Sequence, residues 1–189
     1  MSLSRRFEEA FLYASVIHAG QTRKGTTIPY ISHLMGVASI VLDYGGNETE
    51  AIAALLHDAV EDAGGKGRLA DIELRFGAEV AHIVAGCTDA DVIPKPPWRE
   101  RKEKYISRIG GESGPVRLVS AADKLHNARS ILADYRCIGE AIWDRFNGKK
   151  DGTLWYYRSL LTAFRSAGNN ALIDELDRVV SELEHLARR

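Results

Sequence analysis

Cysteine, net charge and long apolar runs are all scarce in this chain, and each shortage removes a class of protein. Cys87 and Cys137 are its two cysteines, far apart and without C-x-x-C spacing. That leaves neither a disulfide framework nor a paired-thiol motif, and a reduced, cytoplasmic protein is expected. Twenty-five basic residues stand against 26 acidic ones, for a formal charge of −1. No global positive field recommends nucleic acid or an anionic membrane as partner, so a phosphate must be gripped locally, by a metal or a few placed cations. No apolar stretch approaches the roughly 20 residues that span a bilayer. The N-terminus carries Arg5, Arg6, Glu8 and Glu9 in place of an apolar signal core. Alternating apolar runs, internal repeats and low-complexity tracts are missing too, which argues against sheet and solenoid folds.

Helical periodicity fills the space these absences leave. With 189 residues, 45% of them hydrophobic, the chain suits one globular all-α domain over residues 1–189. Ser4 can cap a first helix ending near Gly20, and a basic turn, Gln21-Thr22-Arg23-Lys24-Gly25, follows. Residues 28–32 should be extended, with Ser32 capping a helix that His33 opens and that runs to about Leu42. Asn47 and Glu50 form a capping box for the next helix, which should run past Asp62 to Gly64-Gly65. Two helices, 70–76 and 78–87, should be divided by Gly77. Residues 93–97, rich in proline, cannot be helical, and Pro97 starts a charged helix. Pro115 opens another, with Asp123 inside it. Residues 147–152 read as a solvated loop before a helix capped by Thr153, and Asn169 or Asn170 begins the last helix.

The most informative run is Ala53-Ala54-Leu55-Leu56-His57-Asp58-Ala59-Val60-Glu61-Asp62. On a continuous helix, at about 100° per residue, its four polar side chains span an arc of about 140°, and the apolar ones take the other side. A histidine beside three carboxylates is costly near a core without positive compensation, which a divalent metal would supply. Two further residues on separate predicted helices, His33 and Asp123, complete a candidate set with His57 and Asp58. Imidazole and carboxylate ligands suit Mn, Fe, Zn or Co, and four protein ligands on a six-coordinate ion leave two positions open.

An ordered series of motifs carries a more specific signal. It comprises His18-Ala19-Gly20-Gln21, Arg23-Lys24-Gly25, Pro29-Tyr30-Ile31-Ser32-His33, the run ending at Glu61-Asp62, Phe76-Gly77-Ala78-Glu79-Val80, and Ala122-Asp123-Lys124-Leu125-His126-Asn127-Ala128-Arg129. In this order the chain resembles the HD-domain phosphohydrolases, specifically the hydrolase domain of the RelA/SpoT family and its stand-alone small alarmone hydrolases. The resemblance covers most of residues 7–165, ahead of a C-terminal helix at about 170–187. It implies removal of the 3′-pyrophosphate of ppGpp or pppGpp, giving GDP or GTP and pyrophosphate, with one Mn²⁺ per chain. Carried onto this sequence, it makes His33, His57, Asp58 and Asp123 the metal ligands. Glu61 and Asp62 become the acidic pair beside the reactive water. Arg23 and Lys24 match a basic stretch near the phosphates, and Lys95 is a further candidate cation there. Asn127 would orient substrate or a ligand, and Tyr157 would face the sugar or base, with Tyr156 in its place if the register slips.

The chain departs from the larger family members at Ser120 and Ala121, where they carry lysine and leucine, and in its proline-rich 94–97 loop. The metal set is untouched by these changes. Neither a synthetase nor a regulatory domain fits in 189 residues, so the expectation is an enzyme that only removes the alarmone. Other readings remain open: (p)ppApp, a deoxynucleotide or the 2′-phosphate of NADPH as substrate, or a nucleotide-sensing HD module without turnover. The partner expected in each case is a small nucleotide, with neither nucleic acid nor membrane, and the oligomeric state is not readable. His18 is expected as a core histidine supporting the site, and Trp98, Trp143 and Trp155 as packing residues.

Overall fold

Three of the helix starts read from the sequence hold in the computed structural model of the chain, which describes residues 2–62, 64–89 and 94–188. Ser4 accepts a hydrogen bond from the Arg6 N–H and opens α1 (Arg5–Ile17). Asn47 and Glu50 close a reciprocal capping box at the start of α3 (Glu48–Leu56), which follows α2 (Ile31–Asp43). Between α3 and the last helix lie α4 (Ala59–Asp62), α5 (Gly65–Phe76), α6 (Ala78–Cys87), α7 (Trp98–Ile109), α8 (Gly114–Ile138) and α9 (Lys149–Ser166). Asn170 then accepts from the Ile173 N–H at 3.0 Å and opens α10 (Ala171–Ala187). Among the described residues there is no strand, only an isolated bridge between Thr22 and Pro29.

Several local expectations change, and α5 begins at Gly65, well ahead of the residue 70 expected. The second helix begins at Ile31, so Ser32 lies inside it and caps nothing, and His33 sits in its first turn. α9 begins at Lys149 and absorbs residues 149–152, leaving Thr153 buried within it. Gly148 and Gly152 permit this by leaving room for Trp98, whose ring carbons lie 2.6 Å and 3.2 Å from where their Cβ atoms would stand. A 3-10 segment (Gly139–Arg145) follows α8. Most relevant to the site, the third helix does not run on through Asp62: it stops at Leu56 and restarts at Ala59. Of the expected proline-rich stretch, Pro94 to Pro97 are non-helical, and Ile93 lies outside the described residues.

The chain divides into two compact units. The first comprises residues 1–95 and 113–122, within which α3 packs on α1, α2 and α6, and α5 on α4 and α6. Every residue of α3 from Ala51 to Leu56 is buried, which makes it the central rod of this unit. The second comprises residues 96–112 and 123–189, in which α9 packs on α7 and α10. Leu160, Leu161 and Phe164 of α9 and Leu172, Leu176, Val180 and Leu183 of α10 supply its buried apolar faces. α8 contributes its first turns to one unit and residues 123–138 to the other.

Gly86 of α6 marks a close helix contact in the first unit: a Cβ there would lie 2.6 Å and 2.7 Å from the two γ-methyls of Val116. Valine is stiff at χ1 and cannot swing aside, so backbone must move. We expect Gly86→Ala to lower stability by about 1–3 kcal/mol and Val116→Ala to recover part of that loss in the double variant. Thermal melting of the three proteins checks this.

Candidate functional site

The interruption at residues 57–58 creates the site's geometry. His57 Nδ1 lies 2.8 Å from the Ala54 carbonyl oxygen, the acceptor a continuing helix would offer to the Asp58 N–H. A carbonyl only accepts, so Nδ1 carries the proton and the neutral ring presents a lone pair at Nε2. That Nε2 lies 3.0 Å from Asp58 Oδ2, and His33 Nε2, reaching in from the first turn of α2, lies 3.7 Å from the same oxygen. One ligand atom from each of His33, His57 and Asp58 falls within 4.8 Å of the others. Both imidazoles are essentially buried, at 1% and 3% exposure.

The Nε2 lone pair of His57 facing a carboxylate oxygen is unfavourable unless a cation stands between them or a buried imidazolium forms at a desolvation cost. Donors about 2.1 Å from a common ion stand about 3.0–3.4 Å apart; the two imidazole nitrogens stand 3.0 and 3.7 Å from Asp58 Oδ2, so a small inward movement lets these three residues hold a divalent metal. The Nδ1–carbonyl bond of His57 is the kind of outer contact that fixes the tautomer of a metal-binding histidine. Asp58 is oriented by Tyr30, whose hydroxyl donates to Oδ2. Rings of His18, Tyr30, His33 and His57 follow one another in tilted and edge-on contacts, with successive centroids 5.3, 5.5 and 5.3 Å apart.

The acidic pair follows one turn later on α4. Glu61 accepts from Lys95 at 2.7 Å, so the candidate phosphate cation and the candidate catalytic acid are ion-paired here. Asp62 Oδ2 accepts from Gln21 Nε2 at 2.9 Å. Much of Asp62 is open to water, yet desolvation of its carboxyl, followed by the Asp58 charge, raises its pKa above the usual carboxylate value while the Gln21 amide pulls it down. Arg23 is half-buried and Lys24 exposed in the turn after α1, where the Arg23 N–H donates to the Ile28 carbonyl at 2.8 Å.

The remaining sequence candidates belong to the second unit. Asp123, 6% exposed on α8, accepts from Asn127 Nδ2 at 2.6 Å and from the Lys124 ammonium. Burial pulls the Lys124 pKa down, but Asp123, Tyr156 and Tyr105 more than reverse it, and the ammonium stays charged. Tyr156 and Tyr157 are both buried, with centroids 6.0 Å apart, and Tyr156 carries Lys102 Nζ 4.9 Å over its face. The structure thus gathers His33, His57 and Asp58 in the first unit, with Glu61 and Asp62 one turn further on and Lys95 ion-paired to Glu61. Sequence reasoning missed Tyr30 and Gln21, although both stand inside its motifs. Their signal was their place beside Pro29 and after His18, without a chemistry attached.

Comparison with known proteins bears directly on this triad. Residues 10–153 match the HD domain. The chain belongs to the HD-domain family. An HD domain implies a divalent metal, and in this one His33, His57 and Asp58 are residues that would hold it. The chain is similar to the guanosine-3′,5′-bis(diphosphate) 3′-pyrophosphohydrolase MESH1 of Xenopus tropicalis, at 40% identity over 70% of this chain and 71% of that protein. It is similar to human MESH1 at 40% identity over 65% and 68% of the two chains. Among solved structures, a metazoan orthologue of SpoT, described as hydrolysing ppGpp and playing a role in starvation responses, superposes with a TM-score of 0.80. That match covers 97% of this chain and 98% of the other at 27% identity. The crystal structure of lmo0812 from Listeria monocytogenes EGD-e gives 0.72, with 83% and 99% covered at 30% identity. No helix among the described residues is long and apolar enough to cross a membrane.

Because the Tyr30 hydroxyl supports Asp58, Tyr30→Phe should weaken divalent-metal binding about tenfold with little change in melting temperature of the metal-free protein. His57→Ala should abolish high-affinity binding. Calorimetric titration of Mn²⁺ into each variant measures both effects.

Proposed function

We propose that this HD-domain protein is a manganese-dependent (p)ppGpp 3′-pyrophosphohydrolase, a single hydrolase domain working on a diffusible nucleotide in the cytoplasm. The observation that carries this reading is the His33–His57–Asp58 cluster, its imidazoles buried and Asp58 partly so, with Glu61 and Asp62 one turn away, in a chain 40% identical to proteins named for that reaction. Asp123 is the fourth ligand in this proposal, on the strength of its place in the Ala122-Asp123-Lys124-Leu125 motif, and Asn127 and Lys124, which both bond its carboxylate, hold it in place.

A divalent ion held by these residues would supply Lewis acidity toward the 3′-linked phosphate and acidify water. The chain's own groups do the rest. Glu61 or Asp62 takes the proton of the attacking water as its oxygen bonds to the phosphorus. The bond from phosphorus to the ribose 3′-oxygen breaks, and that oxygen takes back a proton, from the carboxyl that received it or from solvent, to leave as the 3′-hydroxyl of GDP or GTP while pyrophosphate departs. Arg23 and Lys24 bind phosphate charge, and Lys95 shifts from Glu61 toward the pyrophosphate as it enters. Tyr157 packs against the sugar or base.

Glu61→Gln should keep metal binding and lose about 10²–10⁴ of kcat, whereas Asp58→Ala should lose metal and activity together. The deciding assay presents ppGpp, (p)ppApp, a deoxynucleotide and NADPH to the manganese-loaded protein, with and without chelator, and identifies products by mass. Pyrophosphate and GDP from ppGpp support the proposal. Orthophosphate from NADPH, or tight ppGpp binding without product, contradicts it.

A further inference from the structure

The loop that joins α1 to α2 delivers a hydrogen-bond relay to the acidic pair. Gln21 Nε2 donates to Asp62 Oδ2 at 2.9 Å, and Gln21 Oε1 lies 2.6 Å from His18 Nδ1. The chemistry of the groups places each proton. A carboxylate only accepts, so the amide nitrogen of Gln21 faces Asp62 and its oxygen faces His18. That oxygen also only accepts, so His18 Nδ1 carries a hydrogen. His18 is 4% exposed, and its Nε2 is buried with no hydrogen-bond partner among the described residues. The Nδ1–H form is the one that matches the Gln21 carbonyl oxygen.

The backbone under this relay is pinned. The Gln21 N–H donates to the His18 carbonyl at 3.0 Å, and the Gln21 carbonyl accepts from the Tyr30 N–H at 2.9 Å. Gly20 makes the tight turn possible with φ of 79°, a value that side-chain-bearing residues rarely adopt. Gln21 therefore projects from a fixed base, with its amide orientation set at one end by His18 and spent at the other on Asp62.

We propose that Gln21, oriented by the buried His18, is a positioning residue that holds the Asp62 carboxylate for proton transfer, and that His18 acts through it as a hydrogen-bond donor rather than as packing. The proposal rests on the hydrolase reading above, in which Asp62 belongs to the catalytic pair. A neutral amide suits this task, since it orients the carboxylate without locking it into the ionised state as an adjacent cation would.

The test uses the full chain with saturating manganese and ppGpp. Gln21→Ala should lower kcat about 10–100-fold, with KM and calorimetric Mn²⁺ affinity within about threefold of wild type. His18→Asn places its amide nitrogen where Nδ1 stands and should keep kcat within about threefold. His18→Phe preserves the ring against Tyr30 but removes the donor. It should fall as far as Gln21→Ala, and the double variant no further. A packing role predicts the reverse order for the two His18 variants. Long-range ¹H–¹⁵N spectra supply a readout independent of turnover: His18 should be the Nδ1–H tautomer in wild type and lose that preference in Gln21→Ala. A wild-type protein that leaves ppGpp intact overturns the hydrolase reading, and the tautomer then decides the relay. An active wild type with kcat unchanged in Gln21→Ala, or an Nε2–H tautomer at His18, overturns the inference.

Discussion

A neutral His57 that gives its Nδ1 proton to the Ala54 carbonyl can offer Asp58 only a lone pair across 3.0 Å, and the rest of the site follows from that constraint. His33 brings a second imidazole nitrogen to 3.7 Å from the same oxygen, and burial of both rings keeps water from screening the His57–Asp58 conflict. A divalent cation removes the conflict by accepting all three donors. The fold sets up this arrangement with apolar packing: α3 is buried on all sides, so the point where it breaks, and hence where His57 and Asp58 stand, is fixed by the core of the first unit.

The segment between α1 and α2 serves the same centre from outside. Its bridge between Thr22 and Pro29 and its backbone bonds at Gln21, Arg23 and Tyr30 hold one short stretch rigid. From that stretch Tyr30 reaches Asp58 and Gln21 reaches Asp62, while Arg23 and Lys24 supply positive charge. Metal ligand, acidic pair and basic turn are thus tied to one loop, so a change in it would affect binding and proton transfer together.

Much of the helical order was legible because it rests on local chemistry. Ser4, Asn47 and Asn170 cap because their side chains reach N–H groups two or three residues on, and Gly77 divides α5 from α6 with a φ of 88°. The all-α class followed from periodicity. What was not legible depends on contacts distant in sequence. α9 starts at Lys149 rather than Thr153 because two glycines make room for Trp98, and no local rule foresees that packing. The helix through His57 was expected to run from its capping box to Gly64-Gly65; it stops at Leu56 and restarts at Ala59, with the His57 ring bonded to the Ala54 carbonyl at the interruption. In the site, His33, His57 and Asp58 were readable as residue types in known words. Gln21 and Tyr30 were visible in the same words, but their partners lie 41 and 28 residues away.

The most direct measurement is diffraction from crystals grown with Mn²⁺, recorded where manganese scatters anomalously. The account predicts one strong anomalous peak about 2.0–2.3 Å from His33 Nε2, His57 Nε2 and an Asp58 oxygen. No peak there, or a peak held by other residues while these three keep their metal-free contacts, would contradict it.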